Sequence, residues 1–231
     1  MTMLHELFVK CGACGKISHV TEMSSTSRFG ACDLDTRPPA LFPFTMLLQC
    51  CEHCGYVDID IADGSSDMYD FTQSDMYKTC DGIETECTEA QEYIRYALLQ
   101  AHKKVATIWN DEECENTQEN VFWGFLNAAW ACDDTNETDA AKECRKRCLD
   151  LINILIVNTK DQEQKETYLG IKADLLRRTG QFDALTVEYE NKTFSNKYVD
   201  QVIRFQLDLA QSKDTKRYSM DNIDIKKYPL K

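Results

Sequence analysis

The apolar residues of this chain follow two different periods along its length. Before residue 75 they form short runs of strand length, and from about residue 85 they recur at helical spacing. The short runs cover residues 7–9, 17–23, 44–48 and 56–61. In the last run, strict alternation predicts that Val57, Ile59 and Ile61 face a core while Asp58 and Asp60 face water. The pattern therefore predicts two β-hairpins followed by a helical region.

Six helices are predicted in the second region. They cover about residues 88–109, 117–132, 138–157 and 162–179, with a fifth beginning at Gln181 and a sixth from about 198 to 209. The third carries Cys144 and Cys148 on its apolar face, so we interpret both thiols as core residues rather than a metal pair. We predict an α+β protein: a small β domain at residues 1–75, an all-α helical-hairpin domain at 76–213, and a loosely docked C-terminal tail at 214–231.

The helical hairpins partly repeat. The fourth and fifth helices place small, large, glycine and aromatic residues where a tetratricopeptide repeat (TPR) has them, and the second and third helices have similar residues. These are Ala173, Leu176, Gly180 and Phe182 in one hairpin, and Phe125, Ala129, Asn136 and Ala141 in the other. The offset between the hairpins is about 44 residues, against roughly 34 for the standard repeat. A TPR-like domain and an ordinary helical bundle both fit this pattern.

The sequence C-x-x-C-G occurs once in each predicted β-hairpin. One copy contains Cys11 and Cys14, and the other contains Cys51 and Cys54. The two-residue spacing lets both sulfurs of such a knuckle face one ion, and the glycine tolerates the positive φ that the turn needs. Four thiolates form the closed tetrahedral ligand set of a structural zinc site. We therefore predict a zinc ribbon with these four cysteines as ligands of a structural Zn²⁺, or of another soft divalent ion in its place.

Two groups beside the second knuckle are predicted not to bind the ion. Pairing Cys50 with Cys54 would give a three-residue spacing, and strand alternation sends Cys50 to the face opposite Cys51. His53 lies between two ligands and is predicted to point outward. A redox dithiol would need a single C-x-x-C at a helix N-terminus, and a catalytic zinc would need an open coordination position. The pattern favours a metal that stabilises the fold.

The 36 residues between the knuckles contain a second candidate site. Two prolines at 38–39 favour an extended path through the centre of this insert, just after Asp33, Asp35 and Arg37. One interpretation is a recognition loop that presents these three side chains. The other is a structural brace, in which Arg37 pairs with a nearby carboxylate and holds a long loop in place.

Composition and charge limit the possible partners. The net charge is −13, and residues 1–75 hold 4 Lys and Arg against 11 Asp and Glu. This balance disfavours nucleic acid and an anionic membrane surface, and it is compatible with a protein partner. No run approaches the ~18 apolar residues of a membrane span, and the first ten residues lack the pattern of a signal peptide, so we expect a cytoplasmic protein. Twelve cysteines in such a protein favour metal binding or buried thiols over disulfides.

These motifs together resemble an uncharacterised family of prokaryotic proteins with an N-terminal double-knuckle zinc ribbon and a TPR-like helical C-terminal region. The resemblance rests on the two knuckles, on residues 29–30 and 33–39 of the insert, and on residues 128–130 and 133–134. The chain departs from it in having Gly12 and Glu52 where such knuckles often place proline, and in the extra Cys32 and Cys50. The resemblance implies zinc binding and the two-part fold but no activity, and it leaves the role of Cys32 open.

Three hypotheses for the function follow. The first is a non-enzymatic protein, in which a structural zinc ribbon packs on a helical scaffold that binds another protein. The second is a nucleic-acid-binding zinc ribbon, against which the negative charge argues. The third is an enzyme with a cleft around Asp33, Asp35 and Arg37, which a pocket converging on these side chains and a shifted carboxylate pKa would favour. The closed ligand set leads us to prefer the first.

Overall fold

The computed structural model describes residues 3–25, 29–39, 48–106 and 111–230. Within this part of the chain, short antiparallel strands near the N-terminus precede eight α-helices, which confirms the predicted α+β class. The predicted strand residues 44–47 and the helix end at 107–109 lie outside the described residues.

Two antiparallel hairpins make up the β part. Strands β1 (Met3–Lys10) and β2 (Ile17–Ser25) pair along their whole length. Strands β3 (Gln49–Cys50) and β4 (Val57–Asp58) are much shorter and form a separate pair. Each C-x-x-C-G knuckle connects the two strands of one hairpin, as the flanking apolar runs predict.

The alternation predicted for residues 56–61 holds at Val57 and Ile61, which are buried, but is wrong at Asp58 and Ile59. Asp58 is buried, whereas Ile59 is 64% exposed. At Ile59 the reason is that β4 ends at Asp58 and a bend follows, so the period of two does not continue. Asp58 lies within β4, and its burial has another cause.

The buried carboxylate of Asp58 has several partners. It accepts hydrogen bonds from the Tyr56 hydroxyl at 2.6 Å and from the Lys103 ammonium at 2.7 Å. The backbone N–H of Ile59 donates a third, at 2.9 Å. A carboxylate can be withdrawn from water when it is paired and hydrogen-bonded in this way. The contact with Lys103 fixes β4 to the helix that carries this lysine.

Six of the eight helices correspond to the six predicted ones. The two additional helices are short, with seven and four residues, too few to show a helical period in the sequence. In chain order the helices are α1 (Ser66–Thr72), α2 (Asp75–Lys78), α3 (Thr88–Ala106), α4 (Asp111–Asp134), α5 (Thr138–Asn158), α6 (Gln162–Arg178), α7 (Phe182–Tyr189) and α8 (Lys197–Gln211).

Helices α3 and α4 approach each other closely where both have small residues. A Cβ atom built on Gly124 of α4 would lie only 2.8 Å from the Cβ of Ala97, which is fully buried in α3. Any side chain at position 124 would therefore push the two helices apart, which explains a glycine in the middle of a helix despite its cost.

The chain divides into two compact units. The ribbon unit comprises residues 1–27 and 40–144, and the helical unit comprises residues 28–39 and 145–231. The centre of the insert thus belongs to the same unit as the C-terminal helices, although in the sequence it lies between the two knuckles. The boundaries predicted at residues 75 and 213 are based on the sequence pattern, whereas the two units are defined by contacts in space. The predicted boundaries therefore stay a prediction.

Two apolar clusters lie in the described part of the helical unit. The first lies between α6, α7 and α8. Whether α6 and α7 form a TPR-like hairpin stays a prediction. Its buried members include Ala173, Leu176, Leu185, Tyr189 and Ile203.

The second cluster shows that the C-terminal segment is docked, so the predicted loose tail is wrong. Leu34 of the insert is buried together with Ile223 and Tyr228 of this segment. Residues 32–34 also bond through their main chain to residues 218–220. The prediction failed because the apolar residues after 213 are too sparse to show a period, although two of them, Ile223 and Tyr228, are buried.

Candidate metal centre

The four knuckle cysteines come together in the ribbon unit. Their sulfur atoms all lie within 4.8 Å of one another. The Sγ atoms of Cys11 and Cys54 are 3.8 Å apart, and those of Cys14 and Cys51 are 3.6 Å apart. In the part of the chain that the structure describes, no other group of three or more Cys, His, Asp or Glu side chains clusters in this way.

These distances suit a tetrahedral ion. Metal–sulfur bonds of about 2.3 Å around zinc separate the sulfurs by roughly 3.8 Å. Cys11, Cys51 and Cys54 are buried and Cys14 is partly buried, so the cluster has little contact with water. The four residues therefore fit a closed site for Zn²⁺ or another thiophilic ion.

The two knuckles have the same backbone turn. In the first, the N–H of Gly15 donates to the carbonyl of Cys11 at 2.8 Å, and in the second the N–H of Gly55 donates to the carbonyl of Cys51 at 2.8 Å. Both glycines have positive φ, at +74° and +71°. This region of backbone space is open to glycine at little cost, which is why the sequence has G after each second cysteine.

Gly12, which stands where such knuckles often have proline, is explained by its surroundings. Its N–H donates a 2.8 Å hydrogen bond to the carbonyl of Ile61, and proline has no N–H to donate. A Cβ atom at this position would lie 2.1 Å from the carbonyl oxygen of Gly64. The first knuckle is thus packed directly on the backbone of residues 61–64, and only glycine fits.

A buried hydroxyl completes the surroundings of the cluster. Ser18 of β2 is fully buried and donates a hydrogen bond to the Sγ of Cys51 at 3.2 Å. Burial opposes ionisation of this thiol, but the bond from Ser18 and the backbone N–H groups of His53 and Cys54 outweigh it. They lower the pKa of Cys51 from 9.0 to about 6.

The other buried thiols of the cluster behave differently. Burial raises the pKa of Cys11 and the pKa of Cys54. A bound cation would supply the positive charge that lets these thiols ionise, because metal ligation by cysteine requires the thiolate. Without a bound cation, the thiol of Cys51 therefore ionises more readily than those of Cys11 and Cys54.

Cys50 and His53 are not members of the cluster. The ring of His53 is exposed and its Nε2 lies 2.9 Å from the carbonyl oxygen of Ile17, so this nitrogen donates to the main chain in the tautomer that carries its proton. Burial raises the pKa of Cys50 to about 11, which keeps this thiol neutral. Both residues lie where the spacing argument places them, beside the cluster.

Asp33, Asp35 and Arg37 belong to the helical unit. The N–H of Asp33 donates to the carbonyl of Arg37 at 2.9 Å, and the N–H of Arg37 donates to the Asp35 carboxylate at 3.3 Å. The side chains of Asp35 and Arg37 are buried. These bonds close a compact turn.

Asp33 joins this turn to the C-terminal segment. Its carboxylate forms a 2.6 Å ion pair with Arg217, a residue that the sequence did not single out. Burial raises the pKa of Asp33, against the lowering effect of Arg217. An insert fixed by such contacts is consistent with a structural brace. The enzyme hypothesis for the three residues stays a prediction.

Two residues that support the cluster were missed in the sequence. Gly12 was noted only as a departure from the resemblance, because its contact with residues 61–64 is between segments far apart in the chain. Ser18 could have been found, since it shares a strand face with the buried Val20 and thus points inward next to the first knuckle.

Compared with known proteins, the chain matches no family model, no curated protein and no solved structure. The structure contains the two parts that the resemblance implies, the strands with their four-cysteine cluster and the helical region. The resemblance to the uncharacterised prokaryotic family itself rests on the sequence motifs alone. Among the described residues, no helix is both long enough and apolar enough to cross a membrane.

Proposed function

We propose that the protein is a non-enzymatic zinc-binding protein, in which a structural Zn²⁺ holds the two knuckles together and the helical scaffold binds another protein. The observation that carries the proposal is the buried cluster of four cysteines with all sulfurs within 4.8 Å. Four thiolates fill the tetrahedral shell of zinc and leave no position for a substrate. The ion would therefore act on the stability of the fold rather than on a reaction.

The β part is small, which is a reason to expect that it needs a metal ion for stability. β3 and β4 have two residues each, and β1 is exposed along nearly its whole length. Hairpins of this size are marginal in water without further support. A metal that joins both knuckles would supply the cross-link that the hairpins lack.

The ribbon is also attached to helices of its own unit, so the effect of the ion would extend beyond the hairpins. The hydroxyl of Tyr77 in α2 donates to the carbonyl of Gly55 at 2.5 Å, and Lys103 of α3 pairs with Asp58. Loss of the ion would free the second knuckle that these contacts hold. We expect metal removal to loosen the packing of α2 and α3 as well.

A partner-binding role is supported by apolar side chains that remain in water. Phe8 and Ile17 on the β1–β2 hairpin are 79% and 62% exposed, and Val187 on α7 is 86% exposed. Exposed apolar groups that form a patch are a common mark of protein interaction sites. The negative charge of the chain is compatible with a protein partner, a basic one in particular.

Metal analysis with two matched variants tests the structural zinc. Purified protein is expected to contain one zinc ion per chain, Cys54→Ser to lose it, and Cys50→Ser, which alters a thiol outside the cluster, to retain it. Complete removal of zinc is expected to abolish the cooperative unfolding of the ribbon unit. A protein that keeps its fold without the ion would show that the metal has no structural role.

Site-specific photo-crosslinking in cells tests the partner. A photoreactive amino acid at position 8 or 187 is expected to give a defined crosslinked protein, and the same amino acid at the exposed Lys213 is expected to give none. If positions 8 and 187 behave like 213, the partner-binding part of the proposal is wrong, whereas the zinc site is tested separately by the metal analysis.

A further inference from the structure

The helical unit contains a pocket of about 230 Å³ that the proposed function does not use. It lies between the insert, α6 and the first turns of α8, and all its lining residues belong to this one unit. Its inner end is formed by the buried side chains of Leu34, Ile171, Val199 and Val202. The pocket therefore offers an apolar interior.

The mouth of the pocket has a different character. Cys32, Thr36 and Tyr198 line it and are exposed, and Asn196 adds a side-chain amide. Asp33 also lines the pocket, but its charge is balanced by the 2.6 Å ion pair with Arg217. A ligand would thus meet polar, uncharged groups at the entrance and apolar groups inside.

Gly170 lines the pocket and leaves space there that a large side chain would fill. It lies in the middle of α6, where glycine costs helix stability relative to alanine. Unlike Gly124, it is not required by a close contact, because a Cβ atom there would meet only Val199 Cγ1 at an ordinary distance of 3.8 Å. Both residues line the pocket, so a larger side chain at position 170 would occupy space beside Val199.

From these observations we propose that the pocket binds a small, neutral aromatic molecule with a polar substituent. Its volume exceeds the roughly 150 Å³ of a cavity that holds one benzene ring and falls short of the roughly 300–1,000 Å³ of sites for drug-sized ligands. A bicyclic aromatic of about ten non-hydrogen atoms fits between these limits. The apolar interior takes the rings, and the groups at the mouth hydrogen-bond the substituent.

The polar mouth favours a free molecule over a side chain of a protein partner. A partner that inserts a side chain would cover the rim, and the centre of a protein interface is rich in apolar and aromatic residues. Here Thr36 and Asn196 lie at the rim, with the Asp33–Arg217 ion pair near them. A small molecule can leave these groups in contact with water.

Cys32 provides a built-in reporter for this site, since it is exposed and lines the mouth. The full-length protein is equilibrated with 2-mercaptoethanol and one of two disulfides: the mixed disulfide of naphthylethanethiol with 2-mercaptoethanol, or bis(2-hydroxyethyl) disulfide. The naphthyl adduct forms when the Cys32 thiolate attacks the sulfur that carries the naphthylethyl group, and the hydroxyethyl adduct forms when it attacks a sulfur of bis(2-hydroxyethyl) disulfide; a new S–S bond forms in both cases. The old S–S bond breaks and 2-mercaptoethanol leaves as the thiolate. Mass spectrometry with peptide mapping gives the adduct at Cys32.

The naphthyl adduct is expected to exceed the hydroxyethyl adduct by about tenfold, which corresponds to about 1.4 kcal/mol of binding by the rings. Gly170→Leu is expected to remove this preference, while Gly170→Ala retains most of it. The reaction of Cys32 with methyl methanethiosulfonate, which is too small to need the pocket, should be the same in all three proteins. Equal capture of both disulfides by the wild-type protein, or an unchanged preference in a folded Gly170→Leu variant, would overturn the proposal.

A competition measurement on the wild-type protein makes the test independent of any variant. Free 1-naphthol is expected to suppress the naphthyl adduct without slowing the reaction with methyl methanethiosulfonate. The peptide Gly-Trp-Gly is expected to compete much more weakly. If the peptide competes as well as 1-naphthol, the pocket receives a protein side chain and the proposal of a free molecule is wrong. If neither competes, the pocket binds no aromatic group.

Discussion

The hydroxyl of Ser18 lies 3.2 Å from the sulfur of Cys51 and donates a hydrogen bond to it in the interior of the ribbon unit. Ser18 is on β2, which leaves the first knuckle, whereas Cys51 begins the second. The bond therefore joins the two hairpins at the place where the ion would join them. It also offers a proton donor to a sulfur that is to carry negative charge, which is the arrangement that supports a thiolate ligand.

Ser18→Ala should weaken zinc binding without removing a ligand. Loss of one hydrogen bond to a ligating group lowers metal affinity by roughly 10–100-fold in metalloproteins, because the bond orients the ligand and stabilises its charge. Competition with a chromogenic chelator measures the affinity. Ser24→Ala is the matched control, since Ser24 is on the same strand but exposed and bonds to His5. Equal affinity of the two variants would show that the Ser18 bond has no role at the site.

Asp58→Ala is expected to destabilise the ribbon unit by about 1–3 kcal/mol, the range for removing one partner from buried charge-assisted hydrogen bonds. The substitution takes away the acceptor of Tyr56 and Lys103 and leaves the Tyr56 hydroxyl buried without it. Denaturant unfolding of the zinc-loaded protein measures the change. Asp63→Ala, a substitution of an exposed aspartate five residues further on, should change the stability by less than about 0.5 kcal/mol. A similar effect of both variants would mean that the Asp58 pair contributes nothing specific.

The parts of the fold that could be predicted are those whose geometry depends on residues close together in the sequence. The spacing of Cys51 and Cys54 and the glycine after them encode a turn that needs no distant partner, and the helical stripe of α5 correctly placed Cys144 and Cys148 in the core. The strand alternation failed at Asp58 because its reason for burial, Lys103, is 45 residues away.

Contacts between distant segments account for the other omissions. Asp33 and Arg217 are 184 residues apart in the chain, so no local pattern could pair them. The C-terminal segment has few apolar residues, and besides the contacts of Ile223 and Tyr228 it is held by polar side chains that bond to its main chain. The nitrogens of Arg177 donate to the carbonyls of Asp214 and Lys216, for example. Because every residue has a backbone carbonyl, such bonds cannot be predicted from the side chains of the C-terminal segment.

Glu166 is expected to make the stability of the helical unit depend on pH in the acid range. Burial opposes its ionisation, but the hydroxyl and N–H of Ser195 and the N–H of Asn196 outweigh it and lower the pKa of Glu166 from 4.5 to about 2. The folded-state pKa is below the unfolded-state pKa. The carboxylate therefore contributes its full stability above about pH 4.5, and this contribution is lost as the pH falls towards 2.

Glu166→Gln tests this dependence. The variant should be less stable than the wild-type protein at pH 7. The difference in free energy of unfolding should shrink as the pH is lowered below 4.5, because only the wild-type protein has a carboxylate at position 166 whose stabilising charge is lost on protonation. Glu163→Gln, in the exposed first turn of the same helix, is the control and should follow the wild-type curve. A difference between Glu166→Gln and the wild-type protein that stays constant from pH 7 to 3 would contradict the assignment.

Arg177→Met should release the C-terminal segment from the helical unit. The guanidinium is fully buried and donates to the carbonyls of Asp214 at 2.9 Å and Lys216 at 2.8 Å, to the carboxylate of Asp174 at 2.8 Å, and to the side chain of Gln206. Methionine fills similar space but leaves the Asp174 carboxylate without its cation, which typically costs about 3–5 kcal/mol for a buried pair.

Hydrogen–deuterium exchange locates the effect of this substitution. Amides of residues 214–230 are expected to exchange faster in Arg177→Met than in the wild-type protein, and those of the ribbon unit are expected to be unchanged. Arg177→Lys should be intermediate at best, because one ammonium cannot reach the four acceptors that the planar guanidinium serves. Lys213→Met removes an exposed charge just before the segment and should leave its exchange unaltered. Unchanged exchange of residues 214–230 in Arg177→Met would mean that the apolar contacts of Ile223 and Tyr228 hold the segment by themselves.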